Sequence, residues 1–290
     1  MTPLASLEAG APLEGVYAVR RKERRLSRQG RPFLALTLAD ATGAVPALVF
    51  DEPDFFAAQF DEGDRVRVTG RVGERDGRPR VVVSHLRAAA DEATAEDLLP
   101  RAHRDPDELF GFVLHLADEV ADPGLRAVLD ALTGDPELAR DWRTMPCTRS
   151  GHHAYVGGLV EHSVGVASIV QALATWHPRL DADLLLAAAL VHDIGHARAF
   201  RLGATFEATD EGRLLGHVAI AHEVVGDAAR GCGLPAGRRA ELLHAIGWHH
   251  GPPPGQAPGA ASPEALALWR ANQLEVGVKA RLEGPGPVLA

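Results

Sequence analysis

The sequence predicts a two-part fold: a five-stranded β-barrel at the N-terminus and an all-α helical bundle behind it. Three observations carry this reading. Up to about residue 86 the apolar residues alternate, as they do in strands with one buried face. Beyond residue 105 the apolar period becomes helical. The chain has 290 residues, and since a single core usually serves roughly 100–200 residues, two domains are expected.

Alternation is clearest in FLALTL (33–38) and VRVTGRV (66–72). Turn signals at Gln29-Gly30, Thr42-Gly43, Glu62-Gly63-Asp64 and Asp76-Gly77 divide the region into strands near 13–27, 33–39, 44–50, 64–73 and 80–86. A short apolar helix over 53–60 falls between the third and fourth. Five strands with a helix between strands three and four is the chain order of an OB fold. The expected domains are a nucleic-acid-binding barrel over 1–87, a linker over 88–105, rich in alanine and acid, and a helical domain over 106–290. Helices are expected near 106–120, 123–132, 156–175, 181–194, 213–232, 235–248 and 263–282, with Asp181, Pro235 and Ser262-Pro263-Glu264 as starts. The segment GPPPGQAPGAA (251–261) must be a loop, and no internal repeat is visible.

A hydrophobic content of 46% with 24% charge belongs to an ordinary soluble protein. No run of 18 apolar residues occurs, and the first residues lack a basic segment followed by an apolar one, so a cytoplasmic protein without a membrane partner is expected. Cys147 and Cys232 lie far apart and outside any CxxC spacing, which argues against a disulfide framework or a thiolate metal site. The net charge of −9 argues against nucleic acid, whose binding rests on Lys and Arg displacing counterions. Its distribution reverses that: residues 16–87 carry 14 Lys and Arg against 10 Asp and Glu, and the remainder carries 16 against 29.

Of 14 histidines, 11 fall between His152 and His250. A lone histidine is more often a hydrogen-bonded core residue than a ligand, and His152, His177, His222 and His244 are read that way. The cluster as a whole points to a metal, because imidazole and carboxylate suit Zn, Mn, Fe or Ni. Most telling is LLLAAALVHDIGH, an apolar helix ending in His192-Asp193, since a buried Asp is rare unless it is paired or coordinating.

The blocks GHHAYVGGLVEHSVGVASIV, LLLAAALVHDIGHARAF, GRLLGHVAIAHEVV and IGWHHG resemble the successive motifs of HD-domain phosphohydrolases. With the barrel in front, nearly the whole chain is similar to the YhaM-type bacterial 3′-to-5′ exoribonucleases. That resemblance implies one or two divalent transition metal ions held by His162, His192, Asp193, His217, His249 and His250, with Asp193 bridging. His192, Asp193 and His196 would then be the catalytic residues, and two ions would activate a water and neutralise the leaving oxygen. Single-stranded nucleic acid is the implied partner, RNA favoured, with a homo-oligomer left open.

Two positions depart from the pattern. Asn272 stands where the family places its last ligand Asp, bringing a dipole in place of a charge, and Glu275, one helical turn on, is the alternative carboxylate. His196 stands where relatives often carry Lys, so the phosphate-facing charge is expected to depend on pH. Two other readings therefore stay open: a nucleic-acid-binding or regulatory protein with an impaired site, and a hydrolase of small nucleotides.

OB folds bind oligonucleotides between the loops joining strands one to two and four to five. Both are arginine-rich here. Arg24, Arg25, Arg28 and Arg31 in the first and Arg75 and Arg78 in the second are the expected phosphate contacts, with Tyr17 and Phe33 as stacking platforms. Phe50 is expected in the core, and 55, 56 and 60 are expected to pack the helix on the barrel.

Overall fold

In the computed structural model, which describes residues 2–283 other than 91, 94, 150, 253, 254, 256, 258 and 260, the alternating region forms β1 (Pro12–Leu26), β2 (Pro32–Asp40), β3 (Gly43–Val49), β4 (Arg65–Arg75) and β5 (Arg78–Ala88). The helix α1 (Pro53–Ala57) lies between β3 and β4. The strands close into a barrel in the order β1-β2-β3-β5-β4, with β1 pairing back onto β4. Within the barrel β3 and β5 pair in parallel and the other neighbours antiparallel. Alternation works as the sequence suggests for Leu13, Leu34, Leu36, Leu38, Val66, Val68 and Val81, which point inward with Tyr17, joined by Phe56 of α1 and Phe60 after it. The β4–β5 hairpin turns on Asp76 and Gly77, both with positive φ, which is the backbone that an Asp-Gly two-residue turn supplies.

The rest is helical: α2 (Ala95–Leu98), α3 (Pro106–Asp118), α4 (Pro123–Gly134), α5 (Pro136–Thr144), α6 (Gly158–Trp176), α7 (Ala182–Val191) and α8 (His196–Ala199). A hairpin of β6 (Phe200–Leu202) and β7 (Phe206–Ala208) follows, then α9 (Asp210–Leu214), α10 (Gly216–Gly231), α11 (Ala236–Gly247) and α12 (Pro263–Glu283). The expected starts hold. Asp181 accepts from Leu184 N–H at 2.9 Å, Ser262 Oγ accepts from Ala265 N–H at 3.1 Å, and Pro235 precedes α11. The sequence reading missed α5, whose polar segment hides a full set of start signals, Asp135 capping Glu137 and Leu138 with Pro136 at the first turn. It also placed no strand at 200–208. Part of the expected loop over 251–261 lies outside the described residues.

The chain divides into two compact units, one of residues up to 101 together with Leu202–Glu207, the other of Ala102–Arg201 and residues from Ala208 on. Among the described residues no helix is long and apolar enough to cross a membrane.

Within the helical unit, Arg238 on α11 ties together the starts of two other helices. Its guanidinium donates to Asp122, the cap of α4, at 3.0 Å and to Asp181, the cap of α7, at 2.5 Å. It holds the Asp181 carboxyl below its usual range. Burial opposes the same shift at Asp122, but the N–H groups of Leu125 and Gly124 together with Arg238 outweigh it. Arg238→Met should cost about 1.5–3 kcal/mol at neutral pH, the range for hydrogen bonds to charged groups. Because the folded pKa values are depressed, this contribution is full above the ordinary value of 3.8 and is lost as pH falls below it. Denaturant melts of both proteins from pH 7 to pH 3 should show the gap closing, and a gap constant with pH would refute the assignment.

Candidate metal centre and nucleic-acid face

Residues Leu184 to Val191 of α7 are all buried, so the helix runs through the interior of its unit and delivers His192 and Asp193 there. The turn that follows depends on Gly195. A Cβ at this position would lie 2.0 Å from the His217 carbonyl oxygen and 2.8 Å from the Ala221 nitrogen. Only glycine lets α10 pass this close, and that approach brings His217 to Asp193.

Asp193 is 3% exposed, and imidazoles surround both its oxygens. Oδ2 lies 3.4 Å from His162 Nε2 and 3.6 Å from His192 Nε2. Oδ1 lies 3.1 Å from His249 Nε2 and 3.3 Å from His217 Nε2. Among the described residues two donor groups built on several histidines share Asp193, His162-His192-Asp193 and Asp193-His217-His249-His250; Cys147-Asp193-His196 and His153-His162-Glu275 are further groups whose ligand atoms lie within 4.8 Å of one another. The structure thus brings together the histidines expected at each position, with Asp193 common to both groups.

The ring orientations are fixed from behind. His192 Nδ1 bonds the Ala189 carbonyl at 2.8 Å, His249 Nδ1 the Ile246 carbonyl at 2.6 Å, and His162 Nδ1 the Glu275 carboxylate at 2.6 Å. Each Nδ1 therefore donates, which turns each Nε2 inward, toward the place a metal would take. His162 and His192 bring those Nε2 atoms within 3.1 Å of each other, and His217 and His250 bring theirs within 2.9 Å.

Burial alone would raise the Asp193 carboxyl, but the imidazoles around it outweigh burial and hold it well below the usual range. Burial would likewise lower His162, yet the carboxylates of Asp193 and Glu275 raise it to about 9.

Asp193 Oδ1 and His249 Nε2 lie 3.1 Å apart, and both are buried without a hydrogen-bond partner. Leaving such groups unpaired costs about 1–3 kcal/mol each. Lone pairs converging on one place from imidazole and carboxylate are what a divalent transition metal satisfies, so these residues fit one.

His196 departs from expectation. It is 9% exposed, stacks on His217 with centroids 4.1 Å apart, and has its Nδ1 buried without a partner. Burial pushes it down to about 3, so the ring is neutral at neutral pH and does not supply the pH-dependent cation expected at that position. A bound cation nearby would lower it further.

Asn272 is 3% exposed. Its Nδ2 donates to the His249 carbonyl at 3.0 Å, which fixes the amide's orientation and leaves Oδ1 buried without a partner. Glu275 joins none of the groups that contain Asp193; it lies behind His162, also accepts from His153 Nε2 at 2.8 Å, and forms a separate group with these two histidines. Sequence reasoning missed His153 and Cys147, whose Sγ lies 3.4 Å from Asp193 Oδ2. Contacts 122 and 46 residues apart in sequence leave no local signature.

On the barrel, Arg25, Arg75, Arg78 and Arg80 line one groove with Pro46 and Leu48. Arg80, whose Nε is buried without a partner, was not among the expected contacts. Arg28 and Arg31 are exposed in the β1–β2 turn. Arg24 faces the other way, paired with Asp54 at 2.6 Å. Tyr17 is corrected: it is fully buried opposite Val66, its hydroxyl donating to the Thr2 carbonyl, so no base can stack on it. Phe50, expected in the core, is 48% exposed and lies 5.6 Å from Phe33. Phe55 is 62% exposed, and only Phe56 and Phe60 pack inward.

Residues 159–279 match the HD domain family, and residues 17–89 match the OB-fold nucleic acid binding domain. The chain is 27% identical to the 3′-5′ exoribonuclease YhaM of Halalkalibacterium halodurans, over 84% of this chain and 76% of that protein. It is 26% identical to the protein of the same name from Bacillus subtilis, over 84% and 78%. Among solved structures, the second OB-fold domain of replication protein A from Methanococcus maripaludis aligns with 32% of this chain and 97% of its own, at 18% identity and a TM-score of 0.26.

Replacing Asn272 by Asp would add charge beside the metal centre but place a carboxylate oxygen against the His249 carbonyl. Asn272→Asp should therefore lose about 1–3 kcal/mol without metal and gain more than the parent when Mn²⁺ is added. Thermal melts with and without metal check this, and identical shifts on metal addition in both proteins would exclude Asn272 from the metal's surroundings.

Proposed function

We propose that this chain, an HD-domain protein with an OB-fold domain in front, is a metal-dependent 3′-to-5′ exoribonuclease acting on single-stranded RNA and releasing nucleoside 5′-monophosphates. The observation that carries this reading is the single buried carboxylate of Asp193 shared by two groups of inward-facing imidazoles. The relatives named exoribonucleases, similar over 84% of the chain, supply the substrate class and direction. A cytoplasmic location and an ion among Mn, Fe, Ni and Zn belong to the same reading.

His162, His192 and Asp193 would hold one ion, and His217, His249, His250 and Asp193 a second, with the Asn272 carbonyl oxygen beside them. Divalent ions there supply Lewis acidity, making water a better nucleophile and offsetting charge on the leaving oxygen. Asp193, ionised while buried, fixes the charge of the centre. His196, held neutral, offers a phosphoryl oxygen a ring N–H in place of a cation. Arg25, Arg28, Arg31, Arg75, Arg78 and Arg80 neutralise backbone phosphates, and Phe33 with Phe50 offers bases a stacking surface.

With Mn²⁺ and an end-labelled single strand, the protein should shorten RNA from its 3′ end. His192→Ala and Asp193→Ala should each lose most bound metal and at least about 100-fold in turnover, since even outer partners of ligands are worth 10–100-fold. Asn272 favours a second reading, an RNA-binding protein without hydrolysis. Binding without turnover across RNA, DNA and a nucleotide panel would establish that instead.

Arg25→Ala, Arg75→Ala and Arg78→Ala should each flatten the logarithmic salt dependence of oligonucleotide binding by about 0.7 per lost phosphate contact. Phe33→Ala should weaken binding by about 1–3 kcal/mol without altering that slope. An unchanged slope in the triple arginine variant would move the binding surface elsewhere.

A further inference from the structure

Three imidazoles of the centre, those of His162, His192 and His249, are not held alike. His192 and His249 lean on main-chain carbonyls three residues back, supports that no side-chain substitution removes. His162 alone leans on a side chain, Glu275, at 2.6 Å.

Glu275 is itself held by others. Its other oxygen bonds His153 Nε2 at 2.8 Å, and His153 Nδ1 shares a 2.9 Å hydrogen bond with the Tyr155 hydroxyl. That hydroxyl donates to Glu161 at 2.6 Å, and Lys279 donates to the other Glu161 oxygen at 2.8 Å. Lys279 also lies 3.3 Å from Glu283, whose carboxylate accepts the His153 backbone N–H at 2.9 Å. The ring thus closes on α12, where Glu275, Lys279 and Glu283 follow at intervals of four on one face. His153 is fully buried, and the Glu275, Lys279 and Glu161 side chains keep 12%, 18% and 21% of their exposure. Gly165 on α6 makes room for this carboxylate: a Cβ there would stand 3.1 Å from Glu275 Cγ and 3.2 Å from Oε1. Among the described carboxylates Glu161 belongs to none of the groups of donor atoms close enough to share an ion, whereas His153, His162 and Glu275 form one of their own, which here is filled by the hydrogen bonds from both rings to Glu275.

We propose that His153, Tyr155, Glu161 and Lys279 are positioning residues that act on His162 through Glu275, and that they set the metal affinity of the His162-His192-Asp193 subsite without setting that of its neighbour. A carboxylate behind a ligating imidazole fixes its tautomer and plane and makes its free nitrogen a stronger donor. Among the described hydrogen bonds, a carboxylate stands behind the His162 ring, and it depends on a second layer of side chains, whereas His192 and His249 have main-chain carbonyls there. This rests on the two-subsite reading above.

Titration of the metal-free protein with Co²⁺, followed by its visible absorption and by calorimetry, tests it. The parent should take up two equivalents. Glu275→Gln, Tyr155→Phe and Lys279→Met should take up one with parental affinity and the other about 10–100-fold more weakly, the range for lost outer partners. Gly165→Ala, which crowds the carboxylate without removing it, should do the same. Tyr155→Phe deletes one oxygen and keeps the test open where Glu275→Gln fails to fold. Two equivalents bound as in the parent would overturn the proposal, as would equal weakening of both. If the parent binds one ion only, the two-subsite reading fails, and the proposal stands or falls on whether Tyr155→Phe weakens that ion at an unchanged melting temperature.

Discussion

An ionised carboxylate withdrawn from water is expensive, by several kcal/mol even after the protein relaxes around it. The helical unit is organised to meet that cost at Asp193. The apolar faces of α7 leave the helix no surface to lie on, so its end is carried inward. Imidazoles on α6, α10 and the segment after α11 then arrive from different directions. No side of the carboxylate is met by a lysine or arginine among the contacts it makes. The imidazoles, with His162 raised to about 9 among them, hold the carboxylate ionised, and a divalent cation on the same inward-facing nitrogens would take over that role.

How much of this the sequence discloses depends on the range of each interaction. The barrel is legible because alternation and turn chemistry are local, and the order of His162, His192-Asp193, His217 and His249-His250 is legible because each sits in its own helical segment. Burial within a strand is less so. Tyr17 and Phe33 both occupy apolar strand positions, and only the closure of β1 against β4 decides that the first turns inward. Phe50 falls one residue beyond β3, where alternation no longer constrains it. Glu275 reads as a substitute ligand when judged by its distance from Asn272 along α12; the contacts to His153 and His162 that give it a different place come from residues more than a hundred positions away.

The arginines of the barrel show a second limit of composition. Arg24 and Arg25 are adjacent and chemically identical, but strand geometry sends them to opposite faces, one to Asp54 and the other toward Phe33 and the groove. Even Arg25 has a local partner, Glu23, at 2.7 Å. Exposed pairs of this kind are worth at most about 1 kcal/mol, so a phosphate that offers a bidentate fit displaces them at little cost. A count of positive charge overstates the available surface, and a count of unpaired arginines understates it.

The hairpin of β6 and β7 bears on how this molecule can be taken apart. Residues 202–207 belong to the barrel unit although the chain has by then passed through six helices of the other. Ala204 shares a small apolar cluster with Ala18, Ala39 and Leu98. A gene fragment ending at residue 101 therefore encodes an incomplete barrel unit, and one beginning at residue 102 carries a six-residue insert whose packing partners are gone. Because β6 and β7 pair with each other, their outer ends lie side by side, so an isolated helical unit is better obtained by joining Arg201 to Ala208 through a short turn than by cutting in the linker alone.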